Sequence, residues 1–170
     1  MFKPWDKQYR VQAVLDEKRI YRYQFSCEWG NSGKHVTFLM LNPSQGNQGQ
    51  DDRTLQRCIS YAKSWGYDGL HVINVFAYIS TSPEIIKSVA EPVGPENDLY
   101  IRTVIKRSEL VIAAWGKSLT TPLAKQRIQQ MLKMLGDTPL YCLQMTTCGQ
   151  YPKHPLYLSG KLKPIPFVQS

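Results

Sequence analysis

Four short apolar runs, at residues 35–41, 69–75, 109–114 and 139–145, alternate with segments whose apolar residues recur at helical spacing, and this alternation restricts the possible folds more than any other feature of the chain. Runs of that length, rich in Val, Ile, Leu and Phe, read as strands buried on both faces, and strands joined through helices run parallel. The helical segments are marked at their ends. Leu55, Cys58, Ile59 and Ala62 fall at i, i+3, i+4 and i+7, with Asp51 or Asp52 placed to cap the start and Trp65-Gly66 near the end. Ser82-Pro83-Glu84 and Gly94-Pro95-Glu96 each read as a cap, a Pro in the first helical position and an acid in the first turn, the second helix reaching about Arg107. Thr121-Pro122 opens a longer helix with Leu123, Ile128, Met131, Leu132 and Leu135 on one side and Gly136 as its stop. Ahead of these, Tyr9, Val11, Ala13 and Leu15 alternate with polar residues, and Ile20, Tyr21, Tyr23 and Phe25 follow the polar turn 16–19, which is the pattern of a hairpin. The expected fold is α/β: three layers, α/β/α, around a central, mostly parallel four-stranded sheet, plus an N-terminal β-hairpin. One domain is expected over 1–170, with 1–30 as the hairpin extension.

Charge narrows the partners. The chain carries 21 Lys and Arg against 13 Asp and Glu, a formal +8, which favours nucleic acid through phosphate contacts and counterion release. With 42% hydrophobic residues and no low-complexity tract, general disorder is excluded. No run approaches the roughly 18 apolar residues of a membrane span. The start, Met1-Phe2-Lys3-Pro4-Trp5-Asp6, lacks the apolar stretch and cleavage site of a secretory signal, so a soluble, cytoplasmic monomer without a membrane partner is expected. Cys27, Cys58, Cys142 and Cys148 show no C-x-x-C spacing, which argues against a zinc ribbon, a redox pair or an iron–sulfur cluster and leaves reduced thiols.

In a parallel sheet flanked by helices, ligands bind beyond the carboxyl ends of the strands. Asn42, Asn74 and Trp115 end or follow predicted strands, and His154 lies in the stretch after the last one. The prediction is a cleft lined by two amides, an imidazole and loop N–H groups, with no nucleophile–base pair. Groups of this kind position water and stabilise developing negative charge.

Leu41-Asn42-Pro43-Ser44 resembles the first motif of the uracil-DNA glycosylase superfamily, above all its mismatch-specific branch, in which Asn-Pro follows the first core strand. Ile73-Asn74-Val75 is similar to the strand-terminal Asn with which those enzymes read the base, and Ala114-Trp115-Gly116-Lys117 to the Trp-Gly that ends their next strand. His154-Pro155-Leu156-Tyr157-Leu158-Ser159 resembles the His-Pro-Ser-Pro-Leu-Ser motif that closes the site. The stretch 40–167 more closely resembles a bacterial and phage family of unknown function carrying Met-Leu-Asn-Pro-Ser, Gly-Pro-Glu-Asn-Asp and His-Pro-Leu-Tyr.

The resemblance implies a monofunctional DNA glycosylase, without metal or organic cofactor, that leaves an abasic site. Asn42 would hold the water that attacks the anomeric carbon, and His154 would donate to the base's carbonyl oxygen. Asn74 would read the flipped base in a pocket shaped by Pro43 and Ser44. Leu158 would fill the gap in the stack, and Ser159, Lys117 and Lys161 would contact DNA. The bond's chemistry fits such a site: the sugar gains positive charge and the leaving base negative charge, so donors at the base and a held water suffice. Extruding the nucleotide costs a few kcal/mol, which an apolar wedge and basic phosphate contacts help offset. Three departures bear on the substrate. Ser44 stands where uracil-specific members have a Tyr that blocks a 5-methyl group, Leu156 replaces the Ser of the closing motif, and the Phe on which uracil stacks has no counterpart. A modified or mismatched pyrimidine is therefore expected, such as 5-hydroxymethyl or glucosylated cytosine of phage DNA, in base-excision repair or antiviral defence.

Simpler roles compete with each assignment. Asn42 before Pro can cap a turn, His154 can be an exposed loop residue, and Asp51 and Asp52 can be helix caps rather than water-activating carboxylates. Trp65 and Trp115 suit a core better than a stacking platform, and Lys125, Arg127 and Lys133 suit a solvated helix face. A Cys148–His154 pair has no spacing to support it, and Lys117 and Lys153 are the residues through which a lyase step would run. Two activities of other classes also remain open, a non-catalytic nucleic-acid-binding module and a nucleoside or nucleotide hydrolase.

Overall fold

The computed structural model describes residues 5–45 and 52–168. Its strands are β1 (Arg10–Leu15), β2 (Arg22–Glu28), β3 (His35–Met40), β4 (Gly69–Asn74), β5 (Leu110–Ala113), β6 (Tyr141–Cys142) and β7 (Ile165–Pro166). The helices are α1 (Arg53–Ser64), α2 (Pro83–Ile86), α3 (Asn97–Lys106) and α4 (Pro122–Leu135), and a 3₁₀ turn spans Pro155–Tyr157. All seven strands form one mixed sheet in the order β1-β2-β4-β3-β5-β6-β7. Strands β4, β3, β5 and β6 are mutually parallel, as the alternation of strands and helices demands.

The sheet is wider than the four strands expected. The N-terminal hairpin is not an appendage: β2 pairs antiparallel with β4, Phe25 opposite Val72 and Cys27 opposite Leu70, which extends the sheet on that edge. On the other edge β7 adds an antiparallel pair to β6, two residues with a Pro and no periodicity to betray them. The run at 139–145 supplies only Tyr141–Cys142 to the ladder, because the chain then turns away and Met145 pairs with Pro152.

Alternate side chains of the central strands enter two cores. Phe38, Met40, Leu70, Val72 and Ile112 pack against Leu55, Cys58, Ile59 and Ala62 of α1. Leu39, Ile73, Val111 and Ala113 pack against Ile101 and Val104 of α3 and Ile128 and Met131 of α4. Each Val, Leu, Ile, Phe or Met among these contributes roughly 1.5–3 kcal/mol when fully buried, and the alanines less. Caps set the helix starts: Asp52 Oδ1 accepts from Leu55 N–H at 2.6 Å, Ser82 caps α2, and Thr121 Oγ1 accepts from Ala124 N–H at 3.3 Å ahead of Pro122. Asp51, the other capping candidate, lies outside the described residues. Helix α3 starts at Asn97, later than Gly94-Pro95-Glu96 suggests, because Asn97 N–H first closes a turn onto Gly94 O at 3.2 Å. Leu123 is 51% exposed and belongs to the solvent side of α4 rather than its apolar face. Among the described residues no helix is long and apolar enough to cross a membrane.

A polar cluster interrupts the apolar strands at mid-sheet. His71 Nδ1 lies 2.9 Å from Ser26 Oγ, and its Nε2 lies 3.0 Å from His35 Nδ1. Burial, with His35 and Arg107 adding repulsion, holds the His71 imidazole down to about 4, while Glu28 opposes this. The unfolded chain, ionising near 6.5, therefore takes up its proton first as the pH falls. Stability is full above about pH 6.5 and declines toward pH 4, by on the order of 1–2 kcal/mol after allowance for the ring's partial exposure. Urea midpoints at pH 7.5 and pH 5 measure this, and His71→Gln should reduce the difference, leaving the part contributed by His154, whose ionisation is also lowered by burial.

Candidate functional site

The parallel strands β3 and β4 deliver Asn42 and Asn74 to one end of the sheet. The segment after β3 continues the pairing: Val75 N–H donates to Met40 O and Phe76 N–H to Leu41 O, both at 2.9 Å, and Ser80 N–H donates to Pro43 O at 3.0 Å. Asn42 Nδ2 donates to Pro43 O at 3.2 Å and to Ser80 O at 3.3 Å. Its amide is thereby oriented and Oδ1 is left as the atom able to accept from a water. The Asn-Pro thus caps its loop, the simpler role for an Asn before Pro, while Asn42 also lines the cleft.

Asn74 is 3% exposed and its Oδ1 has no donor among the described residues. A buried amide oxygen without a partner costs about 1–3 kcal/mol. Its backbone is braced from behind. Asn97, fully buried, donates through Nδ2 to Asn74 O at 2.9 Å and to Val75 O at 3.3 Å. Arg127 Nε donates to the same Val75 O at 3.0 Å while its Nη2 lies 2.7 Å from Asp98 Oδ1. Arg127 is thus 5% exposed and structural, not part of a solvated helix face.

His154 is carried back to the strand ends by a return loop in which Thr146 N–H donates to Tyr151 O and Lys153 N–H to Gln144 O, each at 2.8 Å. Gly116 N–H then ties Pro152 O at 2.9 Å. Gly116 has φ +68°, and a Cβ there would stand 3.3 Å from His154 Cβ, so the residue after Trp115 has to be small and left-handed for the imidazole to reach its place. Trp115 itself is 2% exposed in the α3/α4 core and edge-on to Phe167, away from the cleft. His154 Nδ1 accepts from Leu156 N–H at 3.2 Å, which puts the proton of the neutral ring on Nε2. Burial lowers the ionisation of His154, with Asp52 opposing it, so the ring acts as a neutral donor near pH 7.

Asn42, Pro43, Ser44, Asn74 and His154 line one cavity, open to solvent on one side, with Met40, Leu55, Cys58 and Val72 as apolar wall. Asp52 and Arg22 line it as well. Having capped α1 with Oδ1, Asp52 keeps Oδ2 on the cavity side, where it accepts from Ser44 Oγ at 3.4 Å. Cys58 is fully buried and burial pushes its thiol up, so it is wall rather than nucleophile. Cys148 is exposed and does not line the cavity, nor do Lys117 and Lys153.

The residues assigned to DNA contact fall outside the cavity. Leu158 is half-buried and packs against the core under α1, whereas the preceding Tyr157 is 85% exposed. Ser159 is exposed, with its carbonyl accepting from Tyr61 Oη and its Oγ accepting from Lys161 N–H at 3.3 Å. Lys117 and Lys161 are exposed. Beside this rim, Arg53 and Arg57 line a shallow surface hollow with Leu156. Among the described residues no group of three His, Cys, Asp or Glu side chains is placed to hold a metal ion.

Arg22 is the site residue that sequence reading misses. Strict alternation groups it with Gln24 and Ser26, but in the hairpin Val14 pairs with Gln24 and Leu15 with Arg22, leaving Tyr23 as the extra residue of a β-bulge. The bulge turns Arg22 onto the side of Phe25, with its guanidinium carbon 5.9 Å from that ring, and buries it to 7% exposure in the cavity wall. Burial lowers the guanidinium to about 10, with Asp52 across the cavity opposing the shift, so it remains a cation.

Fold and cavity together define an α/β protein with a polar cleft beyond the ends of two adjacent parallel strands. Residues 22–156 match the family model of the protein of unknown function DUF1643, and the chain belongs to that family. No curated protein and no solved structure matches it. The family's description assigns no activity, so the likeness to uracil-DNA glycosylases rests on the sequence motifs alone.

Proposed function

We propose that this protein is a monofunctional DNA glycosylase that hydrolyses the N-glycosidic bond of an extruded, modified or mismatched pyrimidine. The observation that carries this reading is the buried Asn74 amide, its Oδ1 lacking a donor among the described residues, in the same cavity as Asn42, Asp52 and His154. A pyrimidine edge offers both an N–H for Asn74 Oδ1 and an acceptor for its Nδ2. Water held by Asn42 Oδ1 and Asp52 Oδ2 adds to the anomeric carbon while the C–N bond electrons leave with the base. The water's proton passes to Asp52, and the negative charge on the base's oxygen is met by His154 Nε2–H. The small Ser44 leaves room for a 5-substituent, in line with 5-hydroxymethyl or glucosylated cytosine. Tyr157, exposed next to the His154 turn, is the side chain free to enter the vacated stack, and the net charge of +8 suits a DNA partner.

Duplexes carrying assorted modified and mismatched pyrimidines, treated with alkali after incubation, should break at the altered site. Binding without breaks points instead to a nucleic-acid-binding module, and activity confined to free nucleosides to a nucleoside hydrolase. Asp52→Asn keeps a capping side chain and so leaves the melting temperature within a degree or two, but lowers base release by about 10²-fold or more if the carboxylate takes the water's proton. A variant with unchanged rate would remove Asp52 from the reaction.

A further inference from the structure

We propose that a second cavity adjoining the first is an oxyanion subsite that takes a phosphate attached to the nucleotide whose base occupies the Asn74 cavity. It rests on the reading above for the base and on separate observations for the anion. The second cavity shares Arg22 and Ser44 with the first, so the two are neighbours across one wall. Arg19 and Gln45 complete its polar lining over an apolar floor that includes Leu15 and Ile79. Among the described residues two arginines and no carboxylate line it, and Asp52, which accepts from the shared Ser44, lines only the first cavity. Guanidinium is the side-chain group best matched to a phosphate's oxygens, through paired, charge-assisted hydrogen bonds.

The backbone is bent to place both arginines. Arg22 reaches the shared wall only because of the bulge at Tyr23. Arg19 has φ +57°, the one non-glycine residue in the left-handed region among those described, at a turn position that glycine fills without strain. Asp16 already closes that turn, with its Oδ1 accepting from Ile20 N–H at 2.7 Å and Tyr21 N–H at 2.8 Å, so the turn does not need an arginine to form.

This separates function from fold in one substitution. Arg19→Gly relaxes the backbone and should hold or raise the melting temperature, while weakening a phosphate-bearing ligand about tenfold and lowering the slope of log affinity against log salt by about one. Arg19→Lys, which keeps the charge, should recover most of that loss. The probes are 5-hydroxymethyldeoxycytidine, its 5′-monophosphate and a duplex oligonucleotide carrying that base, followed by calorimetry and fluorescence anisotropy. The nucleoside should bind wild type and Arg19→Gly alike. Weakening of both phosphate probes assigns the subsite to any nucleotide phosphate, and weakening of the duplex alone assigns it to the DNA backbone. The proposal is overturned if Arg19→Gly binds the phosphate probes as well as wild type, or if wild type binds neither. Loss of phosphate binding in a protein that releases no base would retain the subsite and remove the glycosylase reading; base release with unaltered binding would remove the subsite alone.

Discussion

Replacing Asn42 by alanine is expected to lower base release by about 10²–10³-fold, the effect of removing one preorganised polar group aimed at the reacting atoms. The side chain is half-buried and makes two rather long bonds through Nδ2, at 3.2 and 3.3 Å, so its loss should cost the fold little. The stability effect is about 0.5–1 kcal/mol, read from the thermal midpoint. DNA affinity should survive, since the basic rim and Tyr157 lie elsewhere. Single-turnover kinetics beside equilibrium binding measure both quantities. A variant that loses affinity and rate together would place Asn42 in ligand binding rather than in holding the water.

Replacing Asn97 by alanine should produce the larger loss of stability, about 2–4 kcal/mol, because it strips a donor from two buried carbonyls and leaves a void. Those carbonyls, Asn74 O and Val75 O, belong to the strand end that presents the Asn74 side chain, so base release should fall as well although Asn97 does not line the cavity. Asn97→Asp should do no better, since a carboxylate cannot donate to a carbonyl. Urea unfolding gives the first effect, and a rise in the Michaelis constant relative to the turnover number gives the second. Unchanged stability would mean that Arg127, which also donates to Val75 O, braces the strand end by itself.

These two residues mark what is readable from sequence and what is not. Asn42 and Asn74 stand out because an amide at the end of an apolar run breaks a local pattern, and a parallel sheet puts such ends side by side. The order of strands and helices is legible for the same reason: periods of two and 3.6 are local properties. Asn97 and Arg127 carry no such mark. They look like an ordinary first-turn residue and an ordinary helix-surface arginine, and the carbonyls they hold lie far along the chain. Arg22 is hidden by the bulge, since one extra residue in β2 shifts the phase of every side chain before it. The width of the sheet is hidden because nothing in the hairpin's alternation says whether its second strand pairs onward, and β7 is too short to show a period. Leu158 illustrates the reverse: a motif suggests a free wedge, but an apolar residue beside Tyr61 and α1 packs inward, and the exposed neighbour is Tyr157.

Identifying the product decides whether two amides, a carboxylate and a neutral imidazole release a pyrimidine from DNA. Duplexes containing uracil, mismatched thymine, 5-hydroxymethylcytosine or its glucosylated form are incubated with the protein, and free base and abasic sites are quantified by mass spectrometry. The glycosylase reading requires free base and abasic sites in equal amounts from at least one modified or mismatched pyrimidine, with both lost in Asn42→Ala. Intact DNA from every member of the panel would contradict it, and release of plain uracil from matched duplexes at least as fast as any other base would contradict the assigned substrate.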